Sequence, residues 1–302
     1  MLDVRKLRLL RELAHRGTIA AVAQALAYTP SAVSQQLAAL ERESGRPLLT
    51  RTGRRVSLTP AGAVLVEHAE VILADLERAE AALAVDGEGL SGSVRLGTFT
   101  TALETVVLPA MLEIARTESD LDLSVTEVDP ADVPDLLRSG DLDMALVHEY
   151  DNVPSAMGSG TELEPLLDEV VFLASTSTPG GDGIGVIRGH VESRWIVGNP
   201  GTLCHTMAIR TCQSQGFEPR VAHRVDDFAV VLRLVAAGAG VALVPQLGAT
   251  DVPAGVVLTA LPIGRRTRIA YRRGSRSHPA YAAVSAELRR AAHRFHDGSR
   301  YA

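Results

Sequence analysis

The fold of this chain is decided by residues 18–43, which read TIAAVAQALAYTPSAVSQQLAALERE. Thr18 is placed to cap a short helix over residues 19–27, and Thr29-Pro30 caps and opens a second helix that runs to about Glu43. Apolar residues at i, i+4 and i+7 predict the buried stripe of the second helix: Val33, Leu37 and Leu40. Two short helices that meet at such a tight junction predict a helix-turn-helix.

The flanking residues extend this motif into a small domain. Residues 3–16 read as a preceding helix that ends at Gly17, with an apolar face made of Val4, Leu7, Leu10, Leu13 and Ala14. Residues 48–58, LLTRTGRRVSL, read as two short strands around a glycine turn that carries three arginines. We therefore predict that residues 1–59 form an all-helical domain with a wing, a winged helix-turn-helix.

The exposed face of the second helix indicates what this domain binds. A helix that enters the major groove of DNA needs short polar side chains near its N-terminal end. We expect Ser34 and Gln35 to read bases and the wing arginines to hold phosphate or the minor groove. The full set of predicted DNA contacts is Thr18, Thr29, Pro30, Ser31, Ser34, Gln35, Arg51, Arg54 and Arg55. If this helix is considered alone, its polar face could equally be the solvent-exposed side of an ordinary small helical bundle that binds no DNA.

The charge distribution supports the DNA interpretation. The chain carries a net charge of −6, which taken alone disfavours nucleic acid as a partner. Residues 1–60, however, hold ten Lys and Arg against four acids, so this part carries +6 and the remaining 242 residues carry −12. A basic head on an acidic body is typical of a DNA-binding module joined to a domain of another function.

A long helix is predicted to connect the two parts. Thr59-Pro60 opens a helical pattern that continues to about Val85, about 39 Å at 1.5 Å per residue. Its apolar residues follow a heptad spacing that also includes Ala69. The residues predicted to form the dimerisation seam are Leu65, Ile72, Leu76, Ala79 and Leu83. The alternative is that this seam packs on its own chain. Residues 86–92 then read as a hinge.

The rest of the chain alternates between strand and helix patterns. Strands are predicted at 94–97, 121–125, 144–147, 170–174, 195–197, 241–244 and 269–271. Helices are predicted at about 103–117, 131–139, 202–214, 227–238 and 279–297. This alternation predicts an α/β domain with a mostly parallel sheet, which binds ligands beyond the carboxyl ends of its strands.

With these residues in view, the chain resembles the LysR-type transcriptional regulators over essentially its whole length. The resemblance rests on segments of the head (20–26, 31–37, Leu40-Glu41, Gly45, Pro47-Leu48, Arg51, Leu58-Thr59, Ala61-Gly62) and, more loosely, of the body (91–97, 142–147, 216–219, 236–245). Thr29-Pro30 stands where the family usually has Ser-Gln, so one frequent DNA-contacting amide is missing. The resemblance implies an effector domain of two Rossmann-like subdomains that resemble periplasmic binding proteins.

The resemblance also implies boundaries for the domains and a place for the effector. The expected division is 1–59 for DNA binding, 60–89 for the linker helix and hinge, and 90–302 for effector binding, with subdomain I at 90–162 and 265–302 and subdomain II at 163–264. The expected effector contacts, which face the cleft between the subdomains from two strand-to-helix turns and, for His148, from a strand end, are Thr98, Thr100, Thr101, His148, Asn199 and Thr202. Hydroxyls and free N–H groups at helix starts favour a carboxylate or other small anion. No arginine or lysine occurs in either threonine turn, so recognition is expected to rest on neutral donors, although ordinary helix capping is the alternative role of the threonines.

The expected partners follow from this scheme. They are double-stranded DNA with an interrupted palindrome, a small-molecule effector and further copies of the chain in a homodimer or homotetramer, and the family also allows RNA polymerase. No cofactor, metal or membrane partner is predicted. Neither a signal peptide nor a membrane-spanning pattern occurs, which predicts a cytoplasmic location.

Other classes of function fit less well. An enzyme is the main rival, but HExxH, GxSxG and P-loop spacings do not occur, so we expect no catalytic residues. A solute-binding module explains only the body, and an architectural DNA binder explains only the head. A redox-responsive regulator that uses Cys204 and Cys212 remains a narrower alternative, because the peroxide-sensing branch of the family carries a similar pair. On one helix these cysteines would lie about 12 Å apart along the axis, too far for a disulfide unless the helix unfolds.

Overall fold

The computed structural model describes residues 1–52, 55–84, 92–118, 120–154, 160–177 and 183–298. The head contains helices α1 (Val4–Arg16), α2 (Ile19–Ala25) and α3 (Pro30–Ser44), followed by strands β1 (Leu49–Thr52) and β2 (Arg55–Leu58). The two strands pair in antiparallel register, with Leu49 opposite Leu58. The predicted helices and the paired strands of the wing are thereby confirmed.

The predicted helix starts are confirmed in detail. Thr18, Thr29 and Thr59 each cap a helix, because their hydroxyl oxygens accept hydrogen bonds from the N–H groups of Ala21, Ala32 and Gly62. Gly17 ends α1 with φ of +73°, a left-handed conformation that suits glycine. The stripe of α3 is buried as predicted, but on α1 the prediction is partly wrong: Val4 and Ala14 are exposed, and Leu9 joins the core instead.

Helix α4 (Pro60–Leu83) joins the head to the body. The first residues of the predicted seam pack against their own chain: Ala69 is fully buried in the core of the head, and Leu65 packs against that core. The later seam positions stay open, with Ile72 36% exposed, Leu76 41% and Leu83 76%. The predicted hinge at 86–92 lies outside the described residues, apart from Gly92.

The body follows the predicted alternation of strands and helices. Its strands are β3 (Gly92–Thr98), β4 (Leu121–Glu127), β5 (Met144–Tyr150), β6 (Thr161–Ser175), β7 (Arg194–Val197), β8 (Arg220–Arg224), β9 (Val241–Pro245) and β10 (Val257–Arg272). Its helices are α5 (Thr100–Ala102), which continues through a π-helical turn (Leu103–Val107) into α6 (Leu108–Thr117), then α7 (Val133–Ser139), α8 (Leu203–Ser214), α9 (Phe228–Ala236) and α10 (Pro279–Gly298). Short 3₁₀ segments occur at Gly183–His190 and Gln246–Gly248.

These strands form one mixed sheet in the order β4-β3-β5-β10-β6-β9-β7-β8. The pairings at both ends are parallel, but β10 runs antiparallel to both β5 and β6, and β6 runs antiparallel to β9. The prediction of a mostly parallel sheet is therefore wrong for its centre. The physical reason is that β6 and β10 are long strands of 15 and 16 residues that carry the chain from one half of the sheet to the other and back.

The two long strands divide the body into two α/β halves. Helices α6 and α10 cover one half over a core that includes Val94, Ile114 and Val284. The other half has a separate core around Trp195, Met207 and Leu243. Each half therefore buries its own apolar side chains, and the long strands connect them. None of the helices in the described ranges combines the length and the apolar run that a membrane crossing needs.

Candidate functional site

The predicted DNA-reading face lies on the exposed side of α3. Thr18, Thr29, Pro30, Ser31 and Gln35 are exposed, and Ser34 is half-buried. The Thr29 and Ser31 hydroxyls lie 3.1 Å apart at the start of α3. The N-terminal end of α3 thus presents small polar groups to solvent, which is the geometry that a groove-binding helix requires.

The wing stands next to α3 because one carboxylate ties the two together. Glu41 Oε1 accepts hydrogen bonds from the N–H groups of Leu48, at 2.8 Å, and Leu49, at 3.0 Å. Arg54 lies outside the described residues, as do the side chains of Arg51 and Arg55. Their predicted phosphate contacts stay predictions.

Three arginines of α1 face the body, although their charges belong to the basic head. Arg8 Nη2 donates to the carbonyl of Ser139 at 2.6 Å, and Arg11 Nη2 donates to the carbonyl of Arg138 at 3.2 Å. These carbonyls end α7, where the helix dipole attracts cations. Arg16 lies 3.4 Å from the Asp135 carboxylate of the same helix. Less of the charge of the head is therefore available to DNA than the sequence suggests.

A buried carboxylate holds this contact together. The Glu12 side chain is completely buried, and its oxygens accept hydrogen bonds from Arg16 at 2.9 Å and Arg11 at 3.1 Å. Arg138 of the body lies 3.6 Å from the same carboxylate. A charge that is removed from water is tolerated only when it is paired in this way. Glu12 therefore serves as the shared counter-ion of the head and the body.

A cleft of ≈ 320 Å³ opens between the two halves of the body. Its walls are the turns that follow β3 and β4, the first residues of α8 and the start of α9, with β5 and β10 beneath. Its lining residues are Phe99, Thr100, Thr101, Glu127, Val128, Asp129, Pro130, His148, Thr202, Leu203, Cys204, Asp226, Phe228 and Arg265. The cleft lies where the halves of an open α/β sheet present their strand ends, the usual place for a ligand.

The structure brings most of the predicted effector residues to this cleft. Thr100, Thr101, His148 and Thr202 line it, whereas Thr98 is buried below it and Asn199 lies outside the lining. The two hydroxyls expected to hold an anion already have partners. Thr100 Oγ1 donates to Glu127 at 2.5 Å, and Thr202 Oγ1 donates to the Asn199 carbonyl at 2.9 Å while it caps α8.

Arg265 is a cleft residue that was not predicted from the sequence. The guanidinium is 1% exposed, its Nε donates to Glu169 and its Nη2 donates to Thr101 Oγ1 at 3.2 Å. It also stands over the Phe99 ring, 5.2 Å from the centroid. Burial acts to lower the pKa of Arg265, but the attraction of Glu169 outweighs it and the pKa is raised. The cleft therefore contains a permanent cation that reaches it from β10, in addition to the neutral donors expected from the threonine turns.

His148 is a buried polar side chain with unused hydrogen-bonding groups. It is 5% exposed, and neither ring nitrogen has a partner among the described residues. Phe99 and Tyr150 contact its ring edge-on, with centroids 4.6 Å and 5.3 Å away. Burial, followed by the charge of Arg265, lowers the pKa of His148 well below its usual 6.5. The imidazole is therefore neutral at pH 7 and carries one donor and one acceptor nitrogen, both buried in the wall of the cleft.

Three carboxylates form the acidic part of the lining. Glu127 and Asp129 stand at the end of β4 and just after it, and Asp226 stands across the cleft before α9. Each accepts a hydrogen bond within the protein: from Thr100 for Glu127, from the Ala131 N–H for Asp129, and from Asn199 for Asp226. The lining thus carries more negative than positive charge.

The two cysteines occupy different surroundings on α8. Cys204 lines the cleft with its sulfur 3.2 Å from the Tyr150 hydroxyl, whereas Cys212 is fully buried in a core. Burial raises the pKa of the Cys204 thiol, which Arg265 only partly opposes, and burial raises the pKa of Cys212 to about 12. Both are free thiols, and both are protonated at neutral pH.

Comparison with known protein families covers almost the whole chain. Residues 4–63 match the model of the bacterial regulatory helix-turn-helix proteins of the lysR family. Residues 87–293 match the model of the LysR substrate-binding domain. The first match contains the helix-turn-helix and wing described above, and the second contains the cleft.

Individual relatives are similar over most of their length. A probable hydrogen peroxide-inducible genes activator of Mycobacterium avium is 31% identical over 286 residues, 91% of this chain and 89% of the relative. The nitrogen assimilation regulatory protein nac of Escherichia coli K12 is 26% identical over 82% of this chain and 80% of the relative. Among solved structures, a full-length OxyR variant of Pseudomonas aeruginosa superposes with a TM-score of 0.61 at 18% identity, over 96% of this chain and 95% of that one. Full-length CbnR in complex with its target DNA gives 0.52 at 22% identity, over 96% and 100%. These two likenesses show the fold alone.

Proposed function

This chain belongs to the LysR family of bacterial transcriptional regulators, and we propose that it binds specific DNA through α3 and the wing under the control of a small molecule bound in the cleft. The observation that carries the proposal is the juxtaposition of an exposed, polar α3 N-terminus on the head with a ligand-sized cleft in the body. The relatives are regulators by name, which supports binding over catalysis. Because bacterial DNA lies in the cytoplasm, the proposed function places the protein there.

The proposed effector carries one carboxylate. Arg265 supplies a fixed positive charge, and the first turn of α8 supplies backbone N–H groups without intrahelical partners. His148 supplies a neutral donor. Among the predicted contacts, Thr101, His148 and the Thr202 turn are the best placed for this role. Thr100 acts through Glu127, Thr98 supports the turn from below, and Asn199 holds Asp226 in position.

The proposed assembly is a homodimer or homotetramer on an interrupted palindrome. The exposed residues Ile72, Leu76 and Leu83, together with Ala79, offer an apolar stripe for a second copy of α4, and Leu65 supports its start. We divide the chain at 1–59, 60–89 and 90–302. Subdomain I takes 90–162 and 265–302, and subdomain II takes 163–264, since β10 pairs with β5 only from Arg265 onward. We also propose contact with RNA polymerase, which rests only on membership of the family.

The division of labour on DNA predicts two different mutant phenotypes. Gln35→Ala should reduce discrimination between target sites by about 1–3 kcal/mol at one base position, because it removes a base-reading amide. Arg54→Ala should weaken binding to all sequences alike and flatten the salt dependence by about one unit. Fluorescence anisotropy with a target duplex and with random DNA, at several salt concentrations, measures both effects.

The matched control is Gln36→Ala, the same residue type one position along α3 and also exposed. It should leave discrimination unchanged, because it lies off the predicted reading face. Equal losses on specific and random DNA in the Gln35 and Arg54 variants would show that the division into reading and positioning residues is wrong.

A redox-responsive regulator is the second candidate. Its support is that Cys204 lies in the cleft near Arg265, together with the name of the M. avium relative. Against it, both thiols have raised pKa values, whereas reactive thiols have lowered ones. The two cysteines are also eight positions apart on one helix, about 12 Å along its axis. Effector control is therefore the favoured proposal.

A further inference from the structure

The charge of the cleft limits the chemistry of its ligand. Glu127 and Asp129 line one side, Asp226 lines the other, and Arg265 is already paired with Glu169. Among the described lining residues, three carboxylates therefore face a single guanidinium whose charge is matched. A ligand with only negative groups, above all a dicarboxylate, would be repelled by these walls.

His148 shows independently that a polar ligand group belongs here. Buried polar side chains nearly always have a hydrogen-bond partner, and one without a partner indicates a site for a water, an ion or a polar ligand group. This imidazole is 5% exposed, lines the cleft and lacks a partner on both ring nitrogens among the described residues. A ligand that contacts this imidazole therefore needs a polar group, either a donor for its bare nitrogen or an acceptor for its N–H.

These observations fit one class of molecule. Resting on the proposed function, we infer that the effector is a small zwitterion of the amino-acid class, with a carboxylate toward Arg265 and the start of α8 and an ammonium group among Glu127, Asp129 and Asp226. Because Arg265 is the charged group near His148, the ligand carboxylate is the group that would accept from its N–H. A simple amine would leave the open backbone N–H groups at the start of α8 without an acceptor, and a simple carboxylate would leave the acidic walls unmatched.

Matched ligands test the inference on the full-length dimer. Isothermal titration calorimetry is run with the standard L-amino acids and with L-norvaline, pentanoate, butylamine and glutarate, a set that differs only in its charged groups. We expect at least one amino acid to bind and its deaminated counterpart to bind roughly 10–100-fold more weakly, the loss of a charge-assisted hydrogen bond. Glutarate should not bind.

Two variants place the ammonium group. Asp226→Asn and Glu127→Gln should each weaken binding of the amino acid by about tenfold or more and leave binding of the deaminated acid unchanged or stronger. Asp122→Asn, an exposed carboxylate on β4 outside the cleft, is the control and should change neither. Circular dichroism verifies that the variants fold. Because Asp226 also accepts a hydrogen bond from Asn199, the Glu127 variant provides a second, independent test of the acidic wall.

The outcomes are separable. A deaminated acid or a dicarboxylate that binds as tightly as any amino acid overturns the inference but leaves effector control intact. Absence of binding by every amino acid, or binding that neither acidic variant affects, also overturns it. Failure of the proposed function would be a different observation: the wild-type protein would not distinguish its target DNA from random DNA.

Discussion

A chain with Ile72→Glu and Leu76→Glu should sediment as a monomer and lose nearly all affinity for its operator. In a dimer the two substitutions place four carboxylates in one apolar seam, and each unpaired buried charge costs several kcal/mol. A monomer can occupy only one half-site, so the gain from simultaneous binding of two half-sites disappears. Analytical ultracentrifugation and anisotropy on a palindromic duplex measure the two effects.

The control keeps both positions apolar. Ile72→Leu with Leu76→Ile conserves volume and should remain a dimer with DNA affinity near that of the wild type. If the glutamate variant keeps its oligomeric state, α4 does not hold the dimer through these residues, although they are 36% and 41% exposed in the single chain.

Replacing Glu12 by alanine should lower the free energy of unfolding by about 3–5 kcal/mol, because it leaves buried guanidinium groups without their counter-ion. Arg11 and Arg16 would each lose the hydrogen bond to Glu12, and Arg138 would lose the buried carboxylate 3.6 Å away. Denaturation by urea at fixed protein concentration measures the change.

A second ion pair of the head provides the comparison. Glu43 pairs with Lys6 at the surface, so Glu43→Ala should change stability little. Equal effects of the two substitutions would show that the contact between α1 and α7 does not depend on the buried carboxylate.

The features that could be predicted from sequence are those set by local chemistry. Threonine caps, a terminating glycine and apolar spacing act within a few residues, which is why α2, α3 and the start of α4 were located closely. The stripe of Val33, Leu37 and Leu40 is buried for the same reason. The family motifs supplied the two-subdomain body, and with it a cleft near Thr100 and Thr202.

The features that were missed depend on distant segments. Arg265 lies far from the threonine turns in sequence and reaches the cleft only because β10 crosses between the halves. Arg8 and Arg11 count toward the basic charge of the head, but their contacts with α7 depend on a segment about 130 residues away. Strand β8 alternates exposed and half-buried residues at the sheet edge, so it has no apolar run to reveal it. The acidic lining likewise comes from separate turns.

Selection of DNA from a random pool by the wild-type protein tests whether this chain recognises a specific DNA sequence. We predict enrichment of one interrupted palindrome, with half-sites about one helical turn apart or a multiple of it. That sequence should bind far more tightly than random competitor DNA at the same salt concentration. A pool that shows no enrichment, or enriched sites that bind no better than the competitor, would contradict the claim that this chain is a sequence-specific regulator.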